Sequence, residues 1–170
     1  KIAVITGASS GMGRDFAIKI DKEYTLDEIW LIARREERLK ELGKELKTKA
    51  RILSYDLSSP SSIEEYRALL NETKPEVEIL VNAAGFGVFG AFEKSGDKQS
   101  DIVVLNDKAL VDVTYTTLPY LKSGSSIVNL GSNSSWQPVP YIAVYGASKA
   151  FVLSFSRARS SPSRMRCASS

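Results

Sequence analysis

Five short apolar runs, each separated from the next by a longer stretch with helical periodicity, constrain this chain more than any other feature in it. The runs are KIAVIT, EIWLIA, RILSYDL, VEILVNAAG and SSIVNLGS. They are apolar without strict alternation, as strands buried on both faces are. Between them lies GMGRDFAIKIDKEY, with Met12, Phe16 and Ile20 at four-residue spacing, and then REERLKELGKELKT, with Leu39, Leu42 and Leu46 as its stripe. SPSSIEEYRALLNE opens with Pro60 and serines suited to a helix start, and DKQSDIVVLNDKALVDVTYTTLPYL reads as one long helix. A last helix is expected over YIAVYGASKAFVLSFSR. Strands that alternate with helices build parallel sheets covered on both faces. The expectation is therefore an α/β, three-layer, doubly wound parallel sheet in one domain over residues 1–157.

With 170 residues, 43% of them hydrophobic, the chain can bury one sizeable core. Its formal charge is +3, but residues 157–170 hold Arg157, Arg159, Arg164 and Arg166 and no acid; without those four the charge is −1. The basicity therefore belongs to the last stretch, and residues 158–170, ARSSPSRMRCASS, read as a tail too polar to order itself. No nucleic-acid partner is expected of the body. No apolar run approaches the ~20 residues of a membrane span, and no membrane partner is expected. Histidine is absent and Cys167 is the single cysteine. That leaves no imidazole or thiolate metal site and no internal disulfide, and it fits a reducing, cytoplasmic setting. Any chemistry must come from Tyr, Lys, Ser, Asp, Glu or a borrowed cofactor.

The handover from the first strand to the first helix is TGASSGMG, residues 6–13. Gly7, Gly11 and Gly13 permit a tight turn, close approach of backbone to a pyrophosphate, and close packing of helix on strand. The helix N-terminus behind them offers free N–H donors to an anion. The GK[ST] ending of an NTP-binding loop is missing, so a dinucleotide is the expected ligand. At the end of the second strand an acid would favour NAD, whereas IARRE presents Ala33 and then two guanidiniums. Arginine forks suit a phosphate. NADP is therefore expected ahead of NAD, with Arg34 as first contact and Arg35 as second, against the plainer reading that both begin a solvated helix.

YGASK, residues 145–149, puts a phenol and an ammonium four positions apart on one helix face. A phenol with a pKa near 10 is a poor base at neutrality. An ammonium some 4 Å away, at an effective dielectric near 20, favours the ionised form by about 4 kcal/mol. One well-placed lysine is sufficient in magnitude.

The ordered set TGxxxGxG, YDL, NAAG, LND, GS and YxxxK resembles the short-chain dehydrogenase/reductase family, whose fold is of the Rossmann type. The resemblance covers residues 1–157. It implies the strand order 3-2-1-4-5 for the part present and an oxidoreductase that interconverts a carbonyl and a secondary alcohol. It further implies that Gly7, Ser9, Ser10, Gly11, Met12 and Gly13 line the pyrophosphate and adenosine ribose. Asp56 and Leu57 would lie beside the adenine, and Asn82, Ala83, Ala84 and Gly85 along the cofactor, Ala83 standing where the family usually has Asn. Tyr145 would exchange the proton with the substrate oxygen, while Lys149 supports it and holds the nicotinamide ribose. Ser132 resembles the serine that hydrogen-bonds the reacting oxygen, and Asn106 the helix asparagine that anchors a relay water. Relatives commonly dimerise through the long helix and the catalytic helix, so a homo-oligomer is implied.

Family members usually continue past the catalytic helix through further strands and a substrate-binding segment, and that character stops after FVLSFSRA. A truncated or incomplete chain is expected, with SIVNLGS as a sheet edge. Two readings stay open on the sequence: an NADP-dependent enzyme, and a dinucleotide-binding module without turnover. A sugar-nucleotide epimerase is a third, disfavoured by its usual GxxGxxG spacing.

Overall fold

The computed structural model describes residues 1–96 and 98–160, so residues 161–170 of the expected tail lie outside the described residues. Five strands, β1 (Ile2–Thr6), β2 (Glu28–Ala33), β3 (Ala50–Ser54), β4 (Val77–Asn82) and β5 (Leu121–Asn129), form one sheet in the order 3-2-1-4-5. Every pairing is parallel. The doubly wound expectation is borne out. The helices are α1 (Gly11–Glu23), α2 (Glu36–Glu45), α3 (Pro60–Thr73), α4 (Lys98–Val103), α5 (Ala109–Thr117) and α6 (Ala143–Arg159). Contacts divide the chain into two compact units: Lys1–Gly85 with Lys108–Leu130, and Phe86–Asp107 with the chain from Gly131 on.

The first unit holds the whole sheet. Ala3, Ile5, Ile29, Leu31, Ile79 and Val81 are buried in one cluster with Ala17 and Ile20 of α1 and Leu39 and Leu42 of α2. Parallel strands covered by helices must be apolar throughout, and β1 is buried at all five positions. Elsewhere in this unit Trp30 meets Tyr66 edge-on at 6.5 Å, and Tyr66 shares a 2.7 Å hydrogen bond with Thr117, joining α3 to α5.

Four expectations need correction. Met12 is 60% exposed; the buried stripe of α1 is Gly13, Ala17 and Ile20, because a helix that crosses a strand closely needs small residues at its start. The long helix is interrupted: a π-helical turn, Val104–Lys108, separates α4 from α5, and a 3-10 turn, Leu118–Tyr120, follows. The last helix begins at Ala143 rather than Tyr141, whose φ of 66° is left-handed, and it runs on to Arg159. Strand β5 begins earlier than expected, with its register shifting opposite Val77–Ile79 and Gly124 at φ 91°. As the order implies, β5 is an edge, and Ile127, Val128 and Leu130 are only half-buried.

Beside the β2–β3 pairing, Glu28 accepts from Arg51 (2.8 Å), Trp30 (2.9 Å) and Lys49 (2.6 Å), while Arg51 lies over the Trp30 ring at 5.3 Å. The Arg51 hydrogen bond, foremost, holds the Glu28 carboxyl down at about 2. A depressed carboxylate stabilises the fold above its unfolded value, near 4.5, and loses that contribution as pH falls toward 2. Lys49 and part of Arg51 reach solvent, where screening weakens the pull. Glu28→Gln is therefore expected to cost about 1–2 kcal/mol at pH 7. In urea titrations the difference from wild type should vanish between pH 4.5 and 2; a gap that persists at pH 2 would show that charge is not its source.

Candidate active site

In the first unit the glycine turn is built by exclusion of side chains. Gly7 sits at φ 67°, and a Cβ there would lie 2.7 Å from the carbonyl of Ala83 and from the nitrogen of Ala84. At Gly13 a Cβ would lie 2.4 Å from the Gly7 carbonyl oxygen. Gly11, at φ 55°, faces open space. The Thr6 hydroxyl oxygen accepts from the backbone N–H groups of Ala83 and Ala84, both at 3.0 Å, clamping NAAG to the end of β1. Ser10 occupies the N-cap of α1 without a side-chain capping bond, and the first turn carries no acid. The first N–H groups of this helix are thus left without a side-chain cap, in the manner of a phosphate site. These residues fit a dinucleotide: the turn is open where a diphosphate would lie and closed where side chains would intrude.

Of the two arginines, Arg35 reaches the turn. Its Nη2 donates to Ser9 Oγ (3.1 Å) and Ser10 Oγ (2.8 Å), which ties the N-terminal approach of α2 to the loop. Arg34 offers its backbone carbonyl to the Ser54 hydroxyl, and its side chain is exposed. Asp56 is exposed and accepts the Ser58 N–H in an Asx turn, while Leu57 beside it is buried. Asn82 is buried, with Nδ2 donating to Thr114 and Asn129 (2.9 Å each) and its Oδ1 without a partner. Its side chain is committed to joining β4 with β5 and α5.

The second unit holds the remaining predicted residues, and there Asn106, Tyr145 and Lys149 are linked. Lys149 is 8% exposed, and its Nζ lies 5.7 Å from the centre of the Tyr145 ring. Burial lowers the Lys149 pKa, and the charge of Asp107 opposes that. The Tyr145 ring rests on Gly87: a Cβ there would lie 2.8 Å from Cδ2 and 3.1 Å from Cγ. Asn106, 1% exposed in the π turn, accepts from Phe86 N–H and donates to Phe86 C=O and to Ser148 Oγ, all at 3.0 Å. Ser148 in turn donates to the Tyr145 carbonyl at 2.8 Å. A continuous chain of hydrogen bonds thus runs from the 86–87 loop through the π turn to the first turn of α6. Ser132 caps the 3-10 turn Asn133–Ser135; its oxygen accepts from the Ser134 N–H and hydroxyl, which leaves its own O–H to donate.

Gly87, Ser148 and Asp107 escaped the sequence reading. Ser148 lies inside YGASK and Asp107 inside LND, so the signal was adjacency to motif residues. The contact of Ser148 with Asn106 cannot be read without the π turn.

A family model described as short chain dehydrogenase matches residues 1–164. An uncharacterized oxidoreductase of Staphylococcus epidermidis is 36% identical over 155 residues, covering 89% of this chain and 66% of that protein. Sulfoacetaldehyde reductase 2 of Chromohalobacter salexigens is 39% identical over 162 residues, covering 91% and 63%. Among solved structures, a short-chain dehydrogenase from Sphingobium yanoikuyae in complex with NADPH superposes with a TM-score of 0.81 at 31% identity, covering 92% and 63%. This chain spans just under two thirds of the length of these relatives. With the glycine turn, the YxxxK helix and the sheet order all in place, the chain belongs to the short-chain dehydrogenase family.

Proposed function

We propose that this chain performs NADP-dependent interconversion of a carbonyl and a secondary alcohol, with Tyr145 as acid and base. The observation that carries the reading is the seating of Tyr145: its ring is fixed against the Gly87 backbone, with a buried ammonium 5.7 Å from the ring centre. A phenol held in this way can give a proton to a developing alkoxide or take one from an alcohol. Ser132 has an O–H to donate to the same substrate oxygen. Asn106 acts by holding the 86–87 loop to α6, so that the ring cannot swing away. The nicotinamide supplies or accepts the hydride.

For the coenzyme, Gly7, Gly11 and Gly13 leave room for the diphosphate, and the start of α1 directs N–H groups to it. The Arg35 fork, with Ser9 and Ser10, forms a donor cluster suited to a ribose 2′-phosphate, and Arg34 stands beside it in the chain. The NADPH held by the Sphingobium relative agrees with this reading. Charged hydrogen bonds contribute about 1.5–3 kcal/mol each, so Arg35→Ala should weaken NADPH binding about 10- to 100-fold and leave NADH nearly unchanged. The same titration on Arg34→Ala decides which fork carries more. Equal NADPH and NADH affinities in wild type would remove the NADP assignment. Absorbance at the NADPH band with a panel of aldehydes, ketones and diketones tests turnover itself; tight NADPH binding with no turnover on any of them supports a binding module.

A further inference from the structure

The loop that carries Gly87 goes on to wall a hollow of its own. Within the second unit, a cavity of about 510 Å³ is lined chiefly by the 88–91 segment and by Lys94 and Lys98. That size suits a small organic ligand. The wall is tied to the approach and first turn of α6 at three points. Gly87 lies against the Tyr145 ring, the Phe89 ring stands 5.8 Å from that of Tyr141, and the Gly90 N–H donates to the Tyr141 carbonyl at 2.8 Å. Val88 follows Gly87 directly, so the hollow opens one residue beyond the contact with the proposed acid. At its other end the 3-10 turn Phe92–Lys94 is closed by the Ser95 hydroxyl, which donates to the Ala91 carbonyl at 2.7 Å.

The charge of this hollow is one-sided. Lys94 and Lys98 are both exposed on its rim, and among the described residues no carboxylate lines it. Lys40, Lys49 and Lys108 are paired with acids, whereas neither Lys94 nor Lys98 forms an ion pair among the described residues. The rest of the lining is backbone and the carbon surfaces of Val88, Phe89 and Ala91. Two uncompensated ammoniums above an apolar floor attract a short carbon chain that ends in an anion.

We propose that Lys94 and Lys98 select the substrate: the carbonyl compound that reacts at Tyr145 carries an anionic end, held between the two ammoniums, while its carbon chain lies along Val88, Phe89 and Ala91. The inference rests on the oxidoreductase reading and names the substrate class which that reading left open. The reaction leaves the anion unchanged, since the carbonyl carbon takes the hydride and the carbonyl oxygen takes the proton of Tyr145. Neither lysine belongs to the hydrogen-bonded group of Asn106, Ser148 and Tyr145, so their effect falls on KM. Because the rim is exposed, water and salt screen the attraction and keep the preference modest.

The test compares levulinate with methyl levulinate, which carry the same ketone at the same distance from a charged or a neutral end. At low salt, kcat/KM for the acid is expected to exceed that for the ester about tenfold, and the ratio should fall toward one at high salt. Lys94→Ala and Lys98→Ala should each lower the ratio about threefold through the KM of levulinate, and the double variant should bring it to about one. Replacing both lysines by arginine should preserve it. Both side chains are exposed, so urea midpoints are expected to stay at the wild-type value. Calorimetric titration of the two compounds into the full chain with NADP+ reads the same contrast without turnover. Levulinate binding that the double variant loses, in a wild type that reduces neither compound, supports the charged site and removes the oxidoreductase reading. Turnover with an acid-to-ester ratio near one in wild type overturns the inference and leaves that reading standing. A preference that survives in the double variant, or levulinate that is neither bound nor reduced, overturns it as well.

Discussion

Tyr145→Phe is expected to lower kcat/KM by about 10³-fold while NADPH binding stays within about threefold of wild type. The ring, not the hydroxyl, packs against Gly87, with Cδ2 and Cγ nearest the glycine Cα–H face, and Phe preserves that contact. Lys149 stands 5.7 Å from the same ring and keeps its neighbour. Ser148 bonds the Tyr145 backbone carbonyl, which the substitution leaves untouched. The variant therefore differs by one oxygen, and the unfolding free energy should move by no more than about 0.5 kcal/mol. Any loss of rate belongs to proton transfer. Steady-state assays on a carbonyl substrate, beside a fluorescence titration of NADPH, separate the two quantities. Turnover that survives in the variant would assign the acid to another group and sink the mechanism.

Gly13→Ala is expected to destabilise the fold by about 3 kcal/mol and to weaken NADPH binding about 100-fold. The methyl group would lie 2.4 Å from the Gly7 carbonyl oxygen, 2.8 Å from the Gly7 carbonyl carbon and 3.2 Å from the Ala8 nitrogen. All three are backbone atoms, so no side chain can rotate out of the way. Gly7 has no room to retreat, because its own Cα approaches the Ala83–Ala84 peptide so closely that a Cβ would stand 2.7 Å from it. That peptide is pinned by Thr6. The clash must open either the turn or the contact of α1 with the sheet, and both hold the proposed phosphate site. Gly11→Ala is the control: nothing lies within 4 Å of its Cβ position, and only the left-handed φ of 55° is penalised, at about 1 kcal/mol. Comparable losses in the two variants, read from urea midpoints, would mean that the close approach at Gly13 is not what closes the turn.

Much of this architecture was legible because it rests on local pattern. EIWLIA became β2 over the same six residues, and Pro60 with its preceding serines placed the start of α3. The spacing of Gly7, Gly11 and Gly13 is a statement about where backbone must approach backbone, and the structure shows the contacts that require it. The register of Tyr145 with Lys149 follows from helical geometry alone. Harder to read were features whose cause lies far along the chain. Met12 carries an apolar side chain at the right spacing for the core, yet Gly13 faces the strand and turns Met12 outward. The long helix kept its periodicity through residues 104–108, so no composition rule marked the π turn; it is stabilised by Asn106 bonding to Phe86, twenty residues earlier. Arg34 and Arg35 are indistinguishable as residue types, and only the path of the chain into α2 sends Arg35 to the serines.

By itself, then, the sequence determined the alternating α/β layers, the glycine turn and the tyrosine–lysine face, because each follows from side-chain periodicity or from the absence of a Cβ within a few residues. Tertiary structure alone decided which arginine meets the turn, that the carboxylate beside Asn106 is buried, and that Tyr145 rests on Gly87. Those outcomes depend on where segments distant in sequence bring a charge out of water, and the cost of a buried charge is set by its neighbours in space rather than by its neighbours in the chain.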